Sequence, residues 1–415
     1  MNSKPSRQLV AVLVTLLAAG PAAAEIPLAR ANGWNLTLDG RLNTFGSFSQ
    51  GDAQPSGVAS WTGVEDKSAS TDRITMTRMR GGFLNNVLGF NLIKQLSPDL
   101  RVTGRFATWV GVSQERSKTD NPGLDAREVY VRLEGPWGGL LAGRNLALFE
   151  RGAIRLDYEL QHANGLGHPC AIRTVRGGAC GYAGHGLLFP AYSAGLVYNT
   201  PLLAGFQLSA GLYDPAVISD RQYERTPYPR IEAELTFDPL PGLGLFMDGL
   251  WQRIGNNADP LLNPDVAGIA AGGRVRLGPL AAGFAYYAGQ GLGLYIPMEN
   301  SPLFADEEGV LRKTHGYVGM VSATADQTKI AAGAGVSRLM TTITETEPFA
   351  TLTIPRRQLG ISAGFYQGFY ETLTLALEYF RGNYRWYDST DATTGAVRRN
   401  EQTVHFVNVG LTMIF

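Results

Sequence analysis

The sequence has few of the features that mark helical membrane proteins and nucleic-acid-binding proteins. After residue 24 it has no run approaching the roughly 20 apolar residues that a membrane-spanning helix needs. Its 36 basic and 36 acidic residues leave no net charge, which argues against a nucleic-acid partner. None of its five histidines lies in a recognisable nucleophile motif, so neither an enzyme activity nor a cofactor is predicted.

The first 24 residues have the pattern of a secretory signal peptide. Lys4 and Arg7 precede an apolar stretch at 9–19, and three alanines at 22–24 offer a small-residue cleavage site. An uncleaved anchor is the alternative, but the apolar stretch is short for a membrane span. We therefore expect residues 1–24 to be removed and residues 25–415 to form a single domain.

Polar and apolar residues alternate along most of the chain after residue 34. In residues 230–237, for example, Ile, Ala, Leu and Phe alternate with Arg, Glu, Glu and Thr. Strict alternation over eight residues indicates a β-strand with one polar and one apolar face. About sixteen such segments are present, and most have close to the ~10 residues that a tilted strand needs to cross a bilayer.

The connections between these segments alternate between short and long. Short ones lie at 97–99, 135–138 and 278–280, and long ones at 50–86, 145–190 and 292–314. An up-and-down transmembrane barrel sorts its loops in this way, with short periplasmic turns and long outer loops, whereas a soluble β-sandwich has no reason to do so. The sequence therefore predicts an all-β, antiparallel transmembrane β-barrel of about 16 strands.

The two ends of the barrel sequence carry a further expectation. The last segment, 402–415, has to pair with the first, 34–48, to close the sheet, with Phe415 at the membrane interface.

Residues 72–86 are ambiguous, because strand-like residues are interrupted by Gly81-Gly82 and Asn85-Asn86. They are either part of the second strand with a bulge or part of the first loop.

Three stretches resemble the general porins of Gram-negative bacteria. They are AREVYVRLEGPWGGLLAGRN (126–145), SAGLVYNTPLLAGFQLSAGLY (193–213) and the terminal VGLTMIF (409–415). The resemblance implies a trimeric, 16-stranded diffusion channel in the outer membrane, with its third loop, here 145–190, folded into the lumen as a constriction. The implied partners are outer-membrane lipid and lipopolysaccharide, small hydrophilic solutes and two further copies of the chain.

The candidate site residues are charges that can set up an electric field across a hydrated constriction. Inward parity on the first, third and fourth segments selects four arginines, and the constriction loop supplies three acids; the set is Arg41, Arg101, Arg105, Arg132, Glu150, Asp157 and Glu159. Inward-facing arginines and acids are about equal in number. The sequence therefore leaves the choice between anion and cation preference open.

Cys170 and Cys180 are the only cysteines, and both lie in the constriction loop. Behind a signal peptide, two nearby cysteines favour a disulfide. A metal site with His168 and His185 is the alternative, but the spacing matches no established zinc motif, so no metal is predicted.

Two other functions compete with general diffusion. A channel selective for sugars or small acidic solutes is the first, with Tyr286, Tyr287 and Tyr295 as possible lining for a sugar path. An outer-membrane lipase or protease is the second, and it requires a Ser–His–acid constellation that the sequence does not display.

Overall fold

The computed structural model describes residues 25–58, 73–84, 86–111, 125–161, 178–216, 228–255, 263–298, 301–345, 353–370, 372–390, 394 and 396–415. The predicted signal peptide at 1–24, together with His162, His168 and Cys170, lies outside these ranges.

The described residues form twenty strands and two helices. In chain order they are β1 (Ile26–Ala31), β2 (Trp34–Asp52), β3 (Arg73–Arg80), β4 (Asn86–Ser97), β5 (Leu100–Val110), β6 (Asp125–Gly135), β7 (Gly138–Leu146), α1 (Arg151–Gln161), β8 (Tyr192–Asn199), β9 (Phe206–Tyr213), β10 (Arg230–Leu240), β11 (Leu243–Arg253), β12 (Asp265–Leu277), β13 (Leu280–Gln290), α2 (Ser301–Phe304), β14 (Lys313–Ala325), β15 (Thr328–Leu339), β16 (Pro355–Phe369), β17 (Leu373–Trp386), β18 (Ser389–Thr390), β19 (Val397–Arg398) and β20 (Glu401–Ile414).

Sixteen of these strands close into one antiparallel barrel, which confirms the predicted fold. In order around the wall they are β2, β4–β17 and β20, and each pairs with its neighbours on both sides. The closing pair joins β20 to β2, with Leu411 opposite Thr44 and Val407 opposite Phe48. Closure gives every strand a partner on each side, which the bilayer requires because it offers no water to an open edge.

The ambiguous stretch after the first loop is part of the second strand, interrupted by a bulge. β3 pairs with the C-terminal part of β2, from Asp52 back to Phe45. β4 pairs with the N-terminal part of β2, from Arg41 back to Trp34. The side chain of Asn43 fills the gap: its Oδ1 accepts the Gly82 N–H at 2.7 Å and its Nδ2 donates to the Leu84 carbonyl at 2.7 Å. The bulge therefore has hydrogen-bond partners in the interior of the barrel.

The two faces of the strands differ as the period-2 pattern predicts. On β2, Leu42 is 51% exposed and its neighbour Asn43 is 4% exposed. On β20, Val409 and Leu411 point outward, while Asn408 and Thr412 are buried inside. The outward residues form the apolar band that meets lipid.

A short strand at the start of the described chain was not predicted. β1 pairs only with residues 34–38 of β2, on the N-terminal side of Arg41, the residue at which the pairing of β2 with β20 begins. Phe415 and Gly40 exchange backbone hydrogen bonds at this junction, of 2.6 and 3.0 Å. The C-terminal residue is thus tied to the wall by its backbone as well as by its ring.

Gly40 provides a test of this closure. A Cβ at Gly40 would lie 2.7 Å from both the Phe415 ring and the Val87 carbonyl oxygen, whereas at Gly46 on the same strand the nearest atom is 3.8 Å away. We expect Gly40→Ala to lower the temperature at which the folded barrel unfolds in detergent, by forcing Phe415 or the β2–β4 pairing to shift. Gly46→Ala is the matched control, and an equal effect of both substitutions would contradict the role assigned to Gly40.

Candidate pore constriction

Arg105 lies at the centre of a charge cluster on one arc of the inner wall. Its guanidinium donates to Asp39 at 2.6 Å, to Glu128 at 3.2 Å and to the Asn91 side-chain oxygen at 2.8 Å. Asp39 also accepts from Asn91 at 2.6 Å. This network fixes the arginine in one orientation, because a planar guanidinium is held by several acceptors at once.

Arg101 and Arg132 extend this cluster toward the short-turn end. Both donate to Glu134, Arg101 through Nε at 3.0 Å and Arg132 at 2.9 Å. Their side chains are 52% and 39% exposed, so they reach lumen water. Arg41 stands on the inward face of β2, close to this group. The four predicted arginines therefore share one arc of the barrel, and with Asp39, Glu128 and Glu134 they form what we call the β2–β6 cluster.

The connection that follows β7 enters the barrel and is held by carboxylates of the opposite arc. Its backbone N–H groups at Leu148 and Phe149 donate to Glu232 at 2.7 and 2.8 Å. The next N–H, that of Glu150, donates to Asp248 at 3.0 Å. Helix α1 follows and lies against β11–β15.

Glu150 is a buried part of this attachment. Only 1% of the residue is exposed, and its carboxylate accepts the Leu188 N–H at 3.0 Å, which joins the two described halves of the segment. Its φ of 67° places it in the left-handed region, at the point where the chain turns into α1. Burial raises the pKa of Glu150 to about 8, and the Leu188 N–H offsets only part of that rise.

Asp157 is also buried rather than exposed to the lumen. It is 0% exposed and accepts the Tyr182 N–H at 3.4 Å. Burial raises its pKa to about 7. The Tyr182 hydroxyl in turn lies 2.6 Å from the Ser362 hydroxyl on β16, so this half of the segment contacts a different part of the wall.

Glu159 is the one acid of the predicted loop set that stays partly exposed. Its carboxylate pairs with Arg274 on β12, and its carbonyl oxygen accepts a hydrogen bond from Lys329 on β15. Arg274 lies within electrostatic range of Arg276 and Arg155. Sequence reasoning missed this second, mainly basic cluster, which we call the β12 cluster; its members are Arg151, Arg155, Glu159, Glu234, Asp238, Arg274, Arg276 and Lys329.

The two clusters occupy opposing arcs of the barrel. β5 and β12 are seven places apart in the order of sixteen strands, so they are close to diametrically opposed. The signal for the β12 cluster was present in the alternation of residues 270–276, where Arg274 and Arg276 have inward parity. What the sequence could not show is that α1 would lie beside them.

The aromatic residues considered for a sugar path do not line one together. Tyr286 points outward and is 39% exposed, whereas Tyr287 and Tyr295 are fully buried. Tyr287 donates to Ser337 at 3.0 Å and Tyr295 accepts from Gln358 at 2.7 Å. Their positions favour packing of the inserted segment rather than contact with a passing solute.

His185 and Cys180 are buried in the second half of the inserted segment. The His185 ring packs edge-on against Phe380 and Tyr384, with centroids 5.3 and 5.4 Å apart. Within the described ranges, no three His, Cys, Asp or Glu side chains gather as metal ligands would. Cys170 lies outside the described residues, so the disulfide stays a prediction.

A family model described as Gram-negative porin matches residues 10–411, nearly the whole chain. The chain belongs to the Gram-negative porin family. It is therefore a channel of the outer membrane, as the three motif-bearing stretches predicted. No protein of curated function matches the sequence.

Solved structures of several outer-membrane channels share this fold at low sequence identity. The anion-selective porin from Comamonas acidovorans is 15% identical, with a TM-score of 0.60 over 92% of this chain and 100% of that chain. The DcaP channel of Acinetobacter baumannii is 13% identical, with a TM-score of 0.63 over 93% and 99%. Salmonella typhi OmpF, solved with daunomycin, is 14% identical, with a TM-score of 0.56 over 94% and 100%.

Among the described residues, neither helix has the length and hydrophobicity to cross a membrane.

The attachment of the inserted segment is expected to weaken as pH rises. A released Glu150 titrates near 4.5 and a docked one near 8, so the released state gives up its proton first between these values. The contribution of the protonated group to docking is thus complete below about pH 4.5 and falls as pH rises toward 8.

Glu150→Gln tests the predicted pH dependence of the attachment, because glutamine keeps an oxygen to accept the Leu188 N–H and cannot ionise. We expect the wild type to lose thermal stability between pH 5 and pH 9, and the variant to lose less. Glu307→Gln, at an exposed loop position, is the control. A variant with the same pH dependence as the wild type would contradict this assignment.

Proposed function

We propose that this porin is a general diffusion channel for small hydrophilic solutes and ions, with its constriction between the β2–β6 cluster and the β12 cluster. The observation that carries the proposal is the inserted segment, which is fixed to one wall by Glu232 and Asp248 and places α1 opposite the arginines of β5 and β6. Fixed charges on both sides of a water-filled throat orient polar solutes and filter ions.

The site residues predicted from the sequence divide into two roles in this proposal. Arg41, Arg101, Arg105 and Arg132 set the field on one side, and Glu159 is the loop acid that meets lumen water. Glu150 and Asp157 are too deeply buried to act on a solute and serve instead to fasten the segment.

The excess of cations at the constriction favours anions. Among the described members of the two clusters, eight cations and five acids are partly or fully exposed, with Lys329 and Glu234 buried. The porin from Comamonas acidovorans, which is similar in fold, is named as anion-selective. Selectivity of this kind follows from the sign of the charges that line a narrow pore.

Arg276→Gln tests the preference. Arg276 is exposed on the inward face of β12, so loss of its charge should lower the anion-to-cation permeability ratio in a planar bilayer. We expect a change of about twofold, equivalent to about 0.4 kcal/mol. Lys94→Gln removes the same charge from the outward face, where Lys94 lies over Trp34, and should leave the ratio unchanged. Equal ratios in all three proteins would exclude a role for the β12 cluster.

We further propose a homotrimer, lipid and lipopolysaccharide as partners, and no catalytic activity. Conductance that appears in steps of three identical units would support the trimer.

Residues 360–364 spell Gly-x-Ser-x-Gly, but Ser362 lies within strand β16, and its hydroxyl forms a hydrogen bond with that of Tyr182. A nucleophile elbow requires a sharp strand-to-helix turn, so this match does not favour a hydrolase.

A Cys170–Cys180 disulfide is proposed for the inserted segment. Cys180 is 1% exposed in the core formed by that segment and the wall, so a bridge there would restrict the part of the loop nearest the lumen. Denatured, unreduced protein should then show no reactive thiol, and reduced protein should show two. Two thiols without reduction would contradict the bridge.

A further inference from the structure

A second connection is folded into the barrel beside the inserted segment. It follows β13, and its residues 291–298 are all buried. Leu292, Leu294, Tyr295 and Met298 are each no more than 1% exposed. Connections between strands normally run over the surface, so eight consecutive buried residues require partners for their side chains and their backbone. We call this stretch the 291–298 segment.

The two ends of the 291–298 segment are fixed by backbone hydrogen bonds. The Gly291 N–H donates to the Arg312 carbonyl at 2.8 Å, and the Met298 N–H donates to the Leu292 carbonyl at 3.1 Å. Gly291 has a φ of 72°, and a Cβ at that position would lie 2.8 Å from the Val266 side chain. The segment is therefore a closed loop rather than a continuation of β13.

Leu292 places this loop inside the wall, next to the first half of the inserted segment. Gly268 has inward parity on β12, and a Cβ there would lie 2.8 Å from the Phe149 ring and 2.9 Å from the Leu292 side chain. Both side chains belong to one buried cluster with Leu250 of β11. The wall, the inserted segment and the 291–298 segment thus meet at Gly268, which leaves room for the other two.

Tyr295 makes the contact with the second half of the inserted segment. Its carbonyl accepts the Phe189 N–H at 2.6 Å, and its hydroxyl accepts a hydrogen bond from the Gln358 side chain on β16 at 2.7 Å. Its ring lies against Gly184, where a Cβ would be 2.5 Å from the nearest ring atom. Tyr295 therefore joins residues 184–189 to the barrel wall.

The second half of the inserted segment also contacts the wall directly, through hydroxyl groups. The Gly186 N–H donates to the Ser337 hydroxyl at 2.9 Å, and the Tyr182 hydroxyl lies 2.6 Å from that of Ser362. The first half is fixed instead by carboxylates of β10 and β11. The two halves are thus held by different parts of the protein, and Tyr295 supports the second half.

The connection after β15 ties down the base of the 291–298 segment. Arg312, whose carbonyl accepts the Gly291 N–H, is 3% exposed and forms an ion pair with Glu345. Asp306 accepts a hydrogen bond from the Thr342 hydroxyl of the same connection. The 291–298 segment therefore has an anchor apart from the inserted segment, so it can act as a support for that segment.

We propose that the 291–298 segment sets the width of the passage by holding residues 184–189 in place, with Tyr295 as the positioning residue. The proposal rests on the proposed diffusion function, because it concerns the width of the same passage. The Tyr295 ring occupies space beside Gly184 and Gln358, and neighbouring atoms move part of the way into a space that a deleted side chain leaves. Residues 184–189 would then leave a wider passage, and pore diameter is one of the quantities that decide which solutes pass.

Swelling of porin-containing liposomes in neutral sugars tests this role without interference from the charged clusters. The readout is the entry rate of a trisaccharide, raffinose, divided by that of a pentose, arabinose. We expect Tyr295→Ala to raise this ratio about threefold, through a lower barrier to the larger sugar. Tyr295→Phe keeps the ring and should give the wild-type ratio. Equal ratios in the wild type and Tyr295→Ala would overturn the proposal.

Phe45→Ala distinguishes positioning from a general loss of packing. Phe45 is 0% exposed and lies in a separate cluster with Ala331, Tyr366 and Ala376 of the wall. We expect both alanine variants to unfold at a lower temperature in detergent, but only Tyr295→Ala to change the sugar ratio. The same change of ratio in both variants would reduce Tyr295 to ordinary packing and overturn its positioning role.

A substitution in the inserted segment tests the same contact from its other side. Gly184→Ala places a methyl group against the Tyr295 ring at a φ of 80°. Gly205→Ala, immediately before β9, is the matched control, because Gly205 has a φ of 85° and a Cβ there would lie 2.6 Å from the Asp238 carbonyl oxygen.

We expect Gly184→Ala to change the sugar ratio and Gly205→Ala to leave it unchanged. The effect of Gly184→Ala should be smaller in the Tyr295→Ala background, because the ring that the new methyl group meets is gone. An equal effect in both backgrounds would show that the two positions act separately and would overturn the contact.

Failure of the diffusion function would give a different result. A wild type that admits neither sugar would overturn general diffusion. If Tyr295→Ala then admitted the sugars, the role of the 291–298 segment would stand, and if that variant also stayed closed, the role would fall.

Discussion

Closure of the hydrogen-bonded sheet is the constraint on which the rest of this structure depends. A bilayer offers no partner to a free backbone N–H or C=O, so β20 has to meet β2 and every strand has to be paired along its length. Backbone groups find partners even where the alternation of polar and apolar residues is interrupted. Between β3 and β4, where two glycines break the alternation, the Asn43 side chain supplies the missing donor and acceptor from inside the barrel.

A closed barrel of sixteen strands leaves an interior too wide for side chains to fill. The inserted segment occupies part of that space, and buried carboxylates hold it there by accepting backbone N–H groups. Glu232 takes two such bonds, Asp248 takes one, and Glu150 takes one from the far half of the same segment. Acids suit this role because a carboxyl group has two oxygens and can accept more than one N–H, as Glu232 does. Their ionised form is costly to bury, which makes the attachment sensitive to pH.

Strand periodicity was enough to predict the barrel, the inward arginines and the last strand's pairing, because a period of two assigns each side chain to a face without knowledge of the third dimension. It could not tell which loop acids are exposed. Glu150, Asp157 and Glu159 share one segment, yet only Glu159 reaches the lumen, and that depends on how α1 lies on β12–β15. For the same reason the β12 cluster was missed, because its basic residues come from three elements distant in sequence.

The apolar outward face predicted from the alternation holds along most of the wall and is interrupted by outward cations, among them Arg338, Arg357 and Arg381. Arg338 and Arg357 are register partners on β15 and β16, and each lies two residues beyond the residue aligned with Tyr317, which is outward and 43% exposed. Parity therefore separates two kinds of arginine in this chain. Those that face inward, such as Arg105, are paired with acids of the wall, and their charge acts on what passes through the lumen. Those that face outward have fewer close partners: Arg357 donates to the Asn383 amide oxygen at 2.6 Å, and Arg385 lies 3.7 Å from Asp388, so their charge is directed away from the lumen.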